Sequence, residues 1–271
     1  MKIIFISILL VLMPSVLAAK TVVFIHGYME DGMVWRNKGV TTALLADQYV
    51  DQGTLVLKNK GIQRFSSTQS TTFAPNVFYT IELPWQMSIV QQATILSHYL
   101  ATIYQHRKET ITLVGHSNGG LVARYALVNQ IPLAKIVNTL ISIATPHLGS
   151  PLAQLAILAN KTPLDELSQV LVDQILGKST PLFRQLRAAK PNSFLYWLNQ
   201  KPHPNMAYIS IIRKNESLLP SKLDYVVPAY SQNMNNVFAL RGKSTVYASN
   251  QSHALSHNDG ELIAYIMRSI N

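Results

Sequence analysis

The sequence predicts an α/β protein with a mostly parallel sheet, because short apolar strands alternate with amphipathic helices along most of the chain. Strand patterns cover 21–25, 55–57, 77–79, 110–114, 136–144, 207–212 and 245–248, and 237–240 has the composition of one more. Helix patterns cover 34–48, 88–105, 120–127 and 261–270. The segment 52–80 is otherwise rich in Ser, Thr, Gln and Asn and is expected to be mainly loop. There is no internal repeat, so we expect a single α/β domain.

The composition is that of a packed globular protein. Of 271 residues, 48% are hydrophobic and only 13% are charged, which excludes a disordered chain or a charge-rich coiled coil. The net charge is +10, but the basic residues are scattered and form no nucleic-acid-binding motif. We therefore expect no nucleic-acid partner and a mild attraction to anionic lipid surfaces.

The N-terminus has the pattern of a secretory signal peptide. A positive start is followed by an apolar run at 3–12, then Pro14 and the small residues that precede a cleavage site. The run is too short to cross a bilayer comfortably. We expect cleavage after Ala18, with Ala19 as the second choice, and export to the periplasm or the medium. The sequence has no cysteine, which excludes disulfides and a thiol nucleophile.

The motif at 115–119, Gly-His-Ser-Asn-Gly, fits the G-x-S-x-G turn that presents a nucleophilic serine. A β-branched, apolar strand precedes it and a helix pattern follows it, which is the strand–turn–helix context that this motif requires. Glycines two residues either side of Ser117 suit a turn in which larger side chains would clash. Ser117 is therefore the predicted nucleophile.

A serine nucleophile needs a histidine base and a carboxylate that orients the base, which in this arrangement follow the serine in the order acid, then histidine. Asp224 lies one loop after the strand at 207–212 and is the preferred acid, with Glu216 as the alternative. Two histidines follow the strand at 245–248, and we favour His253 over His257. His253 lies on the loop, whereas His257 lies where the last helix is expected to begin.

When such a serine attacks a carbonyl group, backbone N–H groups must stabilise the oxyanion that develops. The N–H of Asn118 directly follows the nucleophile and is the first candidate. The second is the N–H of Tyr28, on the His-Gly-Tyr loop after the first strand, where Gly27 lets the backbone approach closely.

One long insertion interrupts the alternation of strands and helices. Residues 151–204 carry helix-like runs at 152–158, 164–176 and 194–198 and are too apolar for disorder. We expect this segment to be a helical lid over the active site, although ordinary packing helices would have the same pattern.

Taken together, these segments resemble the α/β-hydrolase superfamily, specifically its bacterial lipase and esterase branch. The matching segments are 23–27, 113–124, 144–150, 224–228 and 252–255. The resemblance implies that the first carries the oxyanion loop, the second the nucleophile, and the last two the triad Asp and His. It also implies that His147, just before the lid, is not catalytic. A structural calcium ion is compatible with the resemblance, but no ligand cluster in the sequence requires one.

The predicted function is that of a secreted serine hydrolase that cleaves carboxylic esters of lipids without a cofactor. The apolar insertion and the basic surface favour acyl-chain substrates. An acyltransferase or a thioesterase would use the same triad and is the enzymatic alternative. A catalytically inactive lipid-binding protein is the non-enzymatic alternative, against which the intact Ser, Asp and His argue.

Overall fold

The computed structural model describes residues 20–65, 74–151, 180–214 and 227–270. The strands in these residues are β1 (Lys20–Ile25), β2 (Val50–Lys58), β3 (Gly61–Phe65), β4 (Asn76–Ile81), β5 (Ile111–His116), β6 (Val137–Ile143), β7 (Ala207–Arg213) and β8 (Ser244–Ser249). The helices are α1 (Val34–Asn37), α2 (Val40–Ala46), α3 (Ile89–Arg107), α4 (Asn118–Asn129), α5 (Thr180–Gln185), α6 (Phe194–Gln200), α7 (Ala229–Gln232) and α8 (His257–Ser269). The predicted signal peptide, both candidate acids and 152–179 of the predicted lid lie outside the described residues.

The described strands form one sheet in the order β3-β2-β4-β1-β5-β6-β7-β8. All described pairs are parallel except β2–β3, which is antiparallel. This confirms the predicted α/β class. The strand order reverses between β1 and β5, and in such sheets binding sites form beyond the carboxyl ends of the strands at this switch point.

Helices cover both faces of the sheet, which is why its central strands are apolar on both sides. Along β1, Val23 and Ile25 join one core cluster and Val22 and Phe24 join the other. Helices α3 and α4 contribute to the first cluster, and α1, α2 and α8 contribute to the second. The ends of β1 and β5 are therefore held rigidly between two packed layers.

The structure corrects three predicted elements. The single helix expected at 34–48 is two helices, α1 and α2, separated by Gly39 in the left-handed conformation (φ 72°). The strand expected at 237–240 is a 3₁₀ turn, Phe238–Leu240. The buried residues of 237–240 are Val237, which precedes the turn, and Leu240, and their spacing of three matches the period of a 3₁₀ helix rather than that of a strand. The segment expected to be mainly loop contains the edge strand β3, whose residues are mostly exposed and so give no hydrophobic signal.

A buried ion pair fixes the start of α8. Arg213, at the end of β7, binds the Asp259 carboxylate (Nη1–Oδ1 2.6 Å), and both side chains are almost completely buried. Asp259 also accepts from the N–H of Ser256, which caps the helix. The loop between β8 and α8 is thereby anchored at its C-terminal end.

Within the described ranges, no helix is both long and apolar enough to cross a membrane.

Candidate active site

Ser117 occupies a strained turn between β5 and α4. Its backbone has φ 51° and ψ −128°, a conformation that residues other than glycine rarely adopt. Its N–H donates to the carbonyl of Ile143 on β6 (2.9 Å), which holds the turn against the sheet. Such strain persists only where the surroundings impose it, and it concentrates at functional sites.

The glycines around Ser117 allow the strand and the helix to pass closely. A Cβ on Gly115 would lie 2.6 Å from the N and Cα atoms of Gly120, and one on Gly119 would collide with the carbonyls of Ile25 and His26. Gly120 is equally constrained, since a Cβ there would run into Thr145. Gly115 and Gly119 thus have the steric role expected of the motif glycines. Gly120 has the same role, although it lies outside the five-residue motif.

The structure brings His253 to Ser117. The Nε2 atom of His253, on the loop between β8 and α8, lies 3.1 Å from the Ser117 Oγ. His257 is instead the first residue of α8, with about half of its side chain exposed. Its Nδ1 lies 3.0 Å from the Gly39 carbonyl oxygen, and its Nε2 lies 3.6 Å from Glu261. The geometry therefore suits His253, and not His257, as a base for Ser117.

The two candidate oxyanion donors lie at the ends of adjacent strands. Asn118 is the first residue of α4, so its N–H has no partner within the helix. Tyr28 follows β1, and β1 pairs with β5. The Tyr28 ring packs edge-on against Trp85 and Phe183, both with centroids 5.2 Å away. Phe183 belongs to α5, so part of the predicted lid segment contacts the predicted oxyanion loop.

Two residues that the sequence analysis missed hold the Gly27 peptide on both sides. The N–H of Gly27 donates to Glu30 Oε2 (2.7 Å). The His26 Nε2 accepts from the Leu83 N–H (3.0 Å), so its Nδ1 carries the proton and donates to the Gly27 carbonyl (2.9 Å). The loop that carries Tyr28 is thereby fixed just before the candidate donor.

Glu30 also contacts His116, the second residue of the serine motif. The His116 Nδ1 lies 2.9 Å from Glu30 Oε2, and its Nε2 lies 2.9 Å from the backbone oxygen of His253. Burial alone raises the pKa of Glu30. The hydrogen bond and charge of His116, with the Gly27 N–H and His26, outweigh that effect and hold this pKa below its ordinary value. In the sequence, the only signal for this pair is position: Glu30 lies just after the His-Gly-Tyr loop, and His116 lies within the Gly-His-Ser-Asn-Gly motif.

His147 lies in a separate buried cluster with Arg124. The Arg124 Nη1 donates to the His147 Nδ1 (2.9 Å), and the His147 Nε2 lies 3.1 Å from Ser142 Oγ. Asn199 on α6 accepts from Arg124 and donates to the His147 carbonyl (3.1 Å). Burial, reinforced by the charge of Arg124 and by His203, keeps the pKa of His147 well below its ordinary value. This cluster ties the end of β6 to α4 and α6 and does not include Ser117.

A metal site is not evident in the described part of the chain. Within those ranges, no three His, Asp or Glu side chains are grouped so that they could hold a metal ion. The calcium ion that the resemblance allowed stays an expectation from sequence, as does the absence of a cofactor.

Several solved structures share the fold of this chain. The mature Bacillus licheniformis lipase BlEst2 aligns with a TM-score of 0.65 at 18% identity, over 93% of this chain and 92% of that one. The lin2722 product of Listeria innocua aligns with a TM-score of 0.64 at 15% identity, over 93% and 95%. The metagenomic carboxyl esterase MGS0156 aligns with a TM-score of 0.55 at 15% identity, over 93% and 77%. No curated protein matches the sequence.

The family assignment comes from the sequence itself. Residues 17–259 match the family described as "PGAP1-like alpha/beta domain". That range includes every described strand of the sheet, from β1 to β8. The chain therefore belongs to the PGAP1-like α/β domain family.

Proposed function

We propose that this protein is an exported serine hydrolase that cleaves carboxylic esters of lipids. The observation that carries the proposal is the 3.1 Å contact between the Ser117 Oγ and the His253 Nε2 at a strained strand–helix turn. A serine hydroxyl is a weak nucleophile until an adjacent base accepts its proton. This contact has the length that such a transfer requires.

The chemistry follows from these positions. His253 accepts the proton of Ser117 as the Oγ attacks the ester carbonyl carbon, and the N–H groups of Asn118 and Tyr28 stabilise the resulting oxyanion. Collapse of this intermediate breaks the bond to the alcohol, which leaves with the proton from His253. Water, deprotonated by His253, then attacks the acyl-enzyme. The bond between the acyl carbon and the Ser117 Oγ breaks as His253 returns the proton to Ser117, and the acid is released.

The acid of the triad is Asp224 in this proposal, with Glu216 as the alternative. A carboxylate in this role holds the imidazole in the required tautomer and stabilises its charged form. An Asp224→Asn variant should lose most of the activity, and a Glu216→Gln variant should keep it. The reverse result would assign the role to Glu216.

The surroundings of the site favour an acyl chain over a small polar group. Tyr28, Trp85 and Phe183 form an aromatic wall beside the oxyanion loop. Met29 and Met87, on the loops after β1 and β4, are strongly exposed apolar side chains. Solved structures with this fold include a lipase and a carboxyl esterase. An acyltransferase or thioesterase with the same triad is the alternative, and it would show a preference for an alcohol acceptor or a thioester.

The nucleophile and the base can be tested directly. Ser117→Ala and His253→Ala should lower kcat for p-nitrophenyl esters by at least about 1,000-fold, whereas His257→Ala should leave it nearly unchanged. A fluorophosphonate probe should label the wild type but not Ser117→Ala. A fully active Ser117→Ala variant would overturn the assignment. Rates across acyl chain lengths, above and below substrate solubility, would separate a lipase from an esterase.

Export is tested by the mass of the mature protein. Expression in a bacterial host should give a product that begins at Ala19 if cleavage follows Ala18, or at Lys20 if it follows Ala19. Fractionation would then show whether the product stays in the periplasm or reaches the medium. A full-length product that retains residue 1 would contradict the predicted signal peptide.

A further inference from the structure

A single chain of hydrogen bonds connects the three loops that meet at Ser117. It runs from the N–H of Gly27 to Glu30, from Glu30 to His116, and from His116 to the backbone oxygen of His253. Each contact is between 2.7 and 2.9 Å. The first residue precedes the proposed oxyanion donor, and the last carries the proposed base. The chain therefore joins the two groups that the proposed reaction needs.

The partners of His116 determine how many protons the pair holds. A backbone carbonyl can only accept, so the Nε2 of His116 must carry a proton to bind the His253 oxygen. The Nδ1 faces a carboxylate oxygen, which also accepts when ionised. Because both ring nitrogens face acceptors, the imidazole and the carboxylate together hold one proton more than a neutral histidine would. The Glu30 carboxylate, which favours its ionised form, leaves that proton on His116.

We propose that Glu30 and His116 are positioning residues for this reaction: a doubly protonated His116, neutralised by Glu30, holds the base loop and the oxyanion loop in place around Ser117. The proposal rests on the proposed function. It assigns no direct contact with substrate to either residue. The pair fixes the positions of the base and of the oxyanion donor. This matters because displacements of about 1 Å in a catalytic site can cost on the order of 100-fold in rate.

The packing around Gly27 supports this role. A Cβ placed on Gly27 would lie 2.8 Å from Glu30 Oε2, 3.0 Å from the Ser117 Cβ and 3.1 Å from the His116 Nδ1. The oxyanion loop thus touches the nucleophile and both members of the pair at one point. The His116 side chain is only 2% exposed, so water cannot easily replace its partners.

Among the described residues, the titratable groups around the pair are few. The His253 ring lies 5.3 Å from the His116 ring, and His26 binds the Gly27 carbonyl beside Glu30. The remaining described ring contact of His116 is with Trp35, which does not titrate. Glu30 is thus the anionic group placed directly against His116 in this part of the structure.

The test compares Glu30→Gln with Glu30→Ala at pH 8 and pH 6. In Glu30→Gln, a neutral His116 can donate either to the amide oxygen of the new side chain or to the His253 carbonyl, so both bonds are kept only while His116 holds two protons. Without a carboxylate, an imidazole is mainly protonated only below about pH 6.5. We expect both variants to lose about 10- to 100-fold in kcat at pH 8, with KM little changed. The activity of Glu30→Gln relative to wild type should then rise severalfold at pH 6, while that of Glu30→Ala should not.

Two further measurements separate this role from a merely structural one. Nitrogen-15 NMR of the wild type at pH 8 should show both His116 ring nitrogens protonated, whether or not the protein hydrolyses esters. Glu261→Gln and His106→Gln, at exposed positions on α8 and α3, should behave as wild type. A neutral His116 ring, an unchanged kcat in Glu30→Ala, or equal pH dependence of the two variants would overturn the pairing. A wild-type protein that shows neither probe labelling nor esterase activity would instead overturn the proposed function.

Discussion

His116 and His147 are both almost completely buried and both lie at the carboxyl edge of the sheet, yet their ring nitrogens face different partners. His116 faces a carboxylate and a carbonyl, so both ring nitrogens must donate. His147 faces a guanidinium, so its Nδ1 accepts and its Nε2 donates to Ser142. Burial by itself disfavours charge on either ring. The comparison shows that two equally buried histidines can face opposite kinds of hydrogen-bonding partner.

The two histidines also differ in what they connect. The Glu30–His116 pair joins loops that surround Ser117, whereas the Arg124–His147 cluster joins a strand end to helices α4 and α6. Burial lowers the pKa of Arg124 to about 9, and no carboxylate within the described residues binds this side chain. We expect the first site to matter mainly for rate and the second mainly for stability.

The largest effect on stability should come from Arg124→Met. The variant removes the donor to His147 and Asn199, and each buried acceptor left without a partner costs about 1–3 kcal/mol. We expect the free energy of unfolding to fall by about 3 kcal/mol in urea denaturation. Arg184→Met, at an exposed position on α5, is the matched control and should change it little. An Arg124→Met protein as stable as its control would refute the structural role of this cluster.

Glu30→Ala should lose mainly rate and little stability, whereas Arg124→Met should lose mainly stability. It removes one acceptor at a partly exposed site, so the free energy of unfolding should fall by only about 1–2 kcal/mol. Its loss in kcat should exceed that of Arg124→Met measured at a temperature where both are folded. If both variants lost rate only in proportion to their unfolded fraction, the two regions would not differ in role.

The two regions should lose stability in different pH windows. The pKa of His203, near Arg124, is lowered mainly by burial to about 3, and that of His147 is lowered too. The unfolded chain therefore binds more protons than the folded one, and this stability is lost as pH falls below about 6.5. The pKa of Glu30 is also lowered, so its contribution is lost only below about 4.5.

Chemical denaturation from pH 8 to pH 3 checks these windows. His203→Gln should reduce the dependence of stability on pH between about 6.5 and 3 by up to one proton. Glu30→Gln should remove the part below about 4.5 that comes from protonation of this carboxylate. An unchanged slope in His203→Gln would show that this imidazole is not held neutral in the folded state.

The smallest effect should come from His257→Gln, which serves as a reference for the changes in both stability and kcat. This side chain is half exposed and faces Glu261 at 3.6 Å, and exposed pairs of this kind contribute at most about 1 kcal/mol. We expect a change in the free energy of unfolding near 0.5 kcal/mol and no change in kcat. A large loss of activity would return His257 to consideration as the base.

Local patterns were sufficient for most of the fold. The strands around β1, β5, β6 and β7 were predictable because β-branched, apolar runs are typical of strands buried on both faces. Strand β3 was not, since its side chains are largely exposed and its formation depends on pairing with β2. The break at Gly39 was missed for a similar reason, because helical periodicity continues across it.

For the site, the sequence by itself determined the turn at Ser117, since the glycines, the preceding strand and the following helix are all local features. It narrowed the base to two histidines four residues apart. Only the tertiary structure decided that His253 meets Ser117 while His257 begins α8. Only the tertiary structure, too, paired Glu30 with His116, which are 86 residues apart in sequence. The physical reason is that hydrogen-bond partners follow from which strands become neighbours in the sheet, and local periodicity does not encode that order.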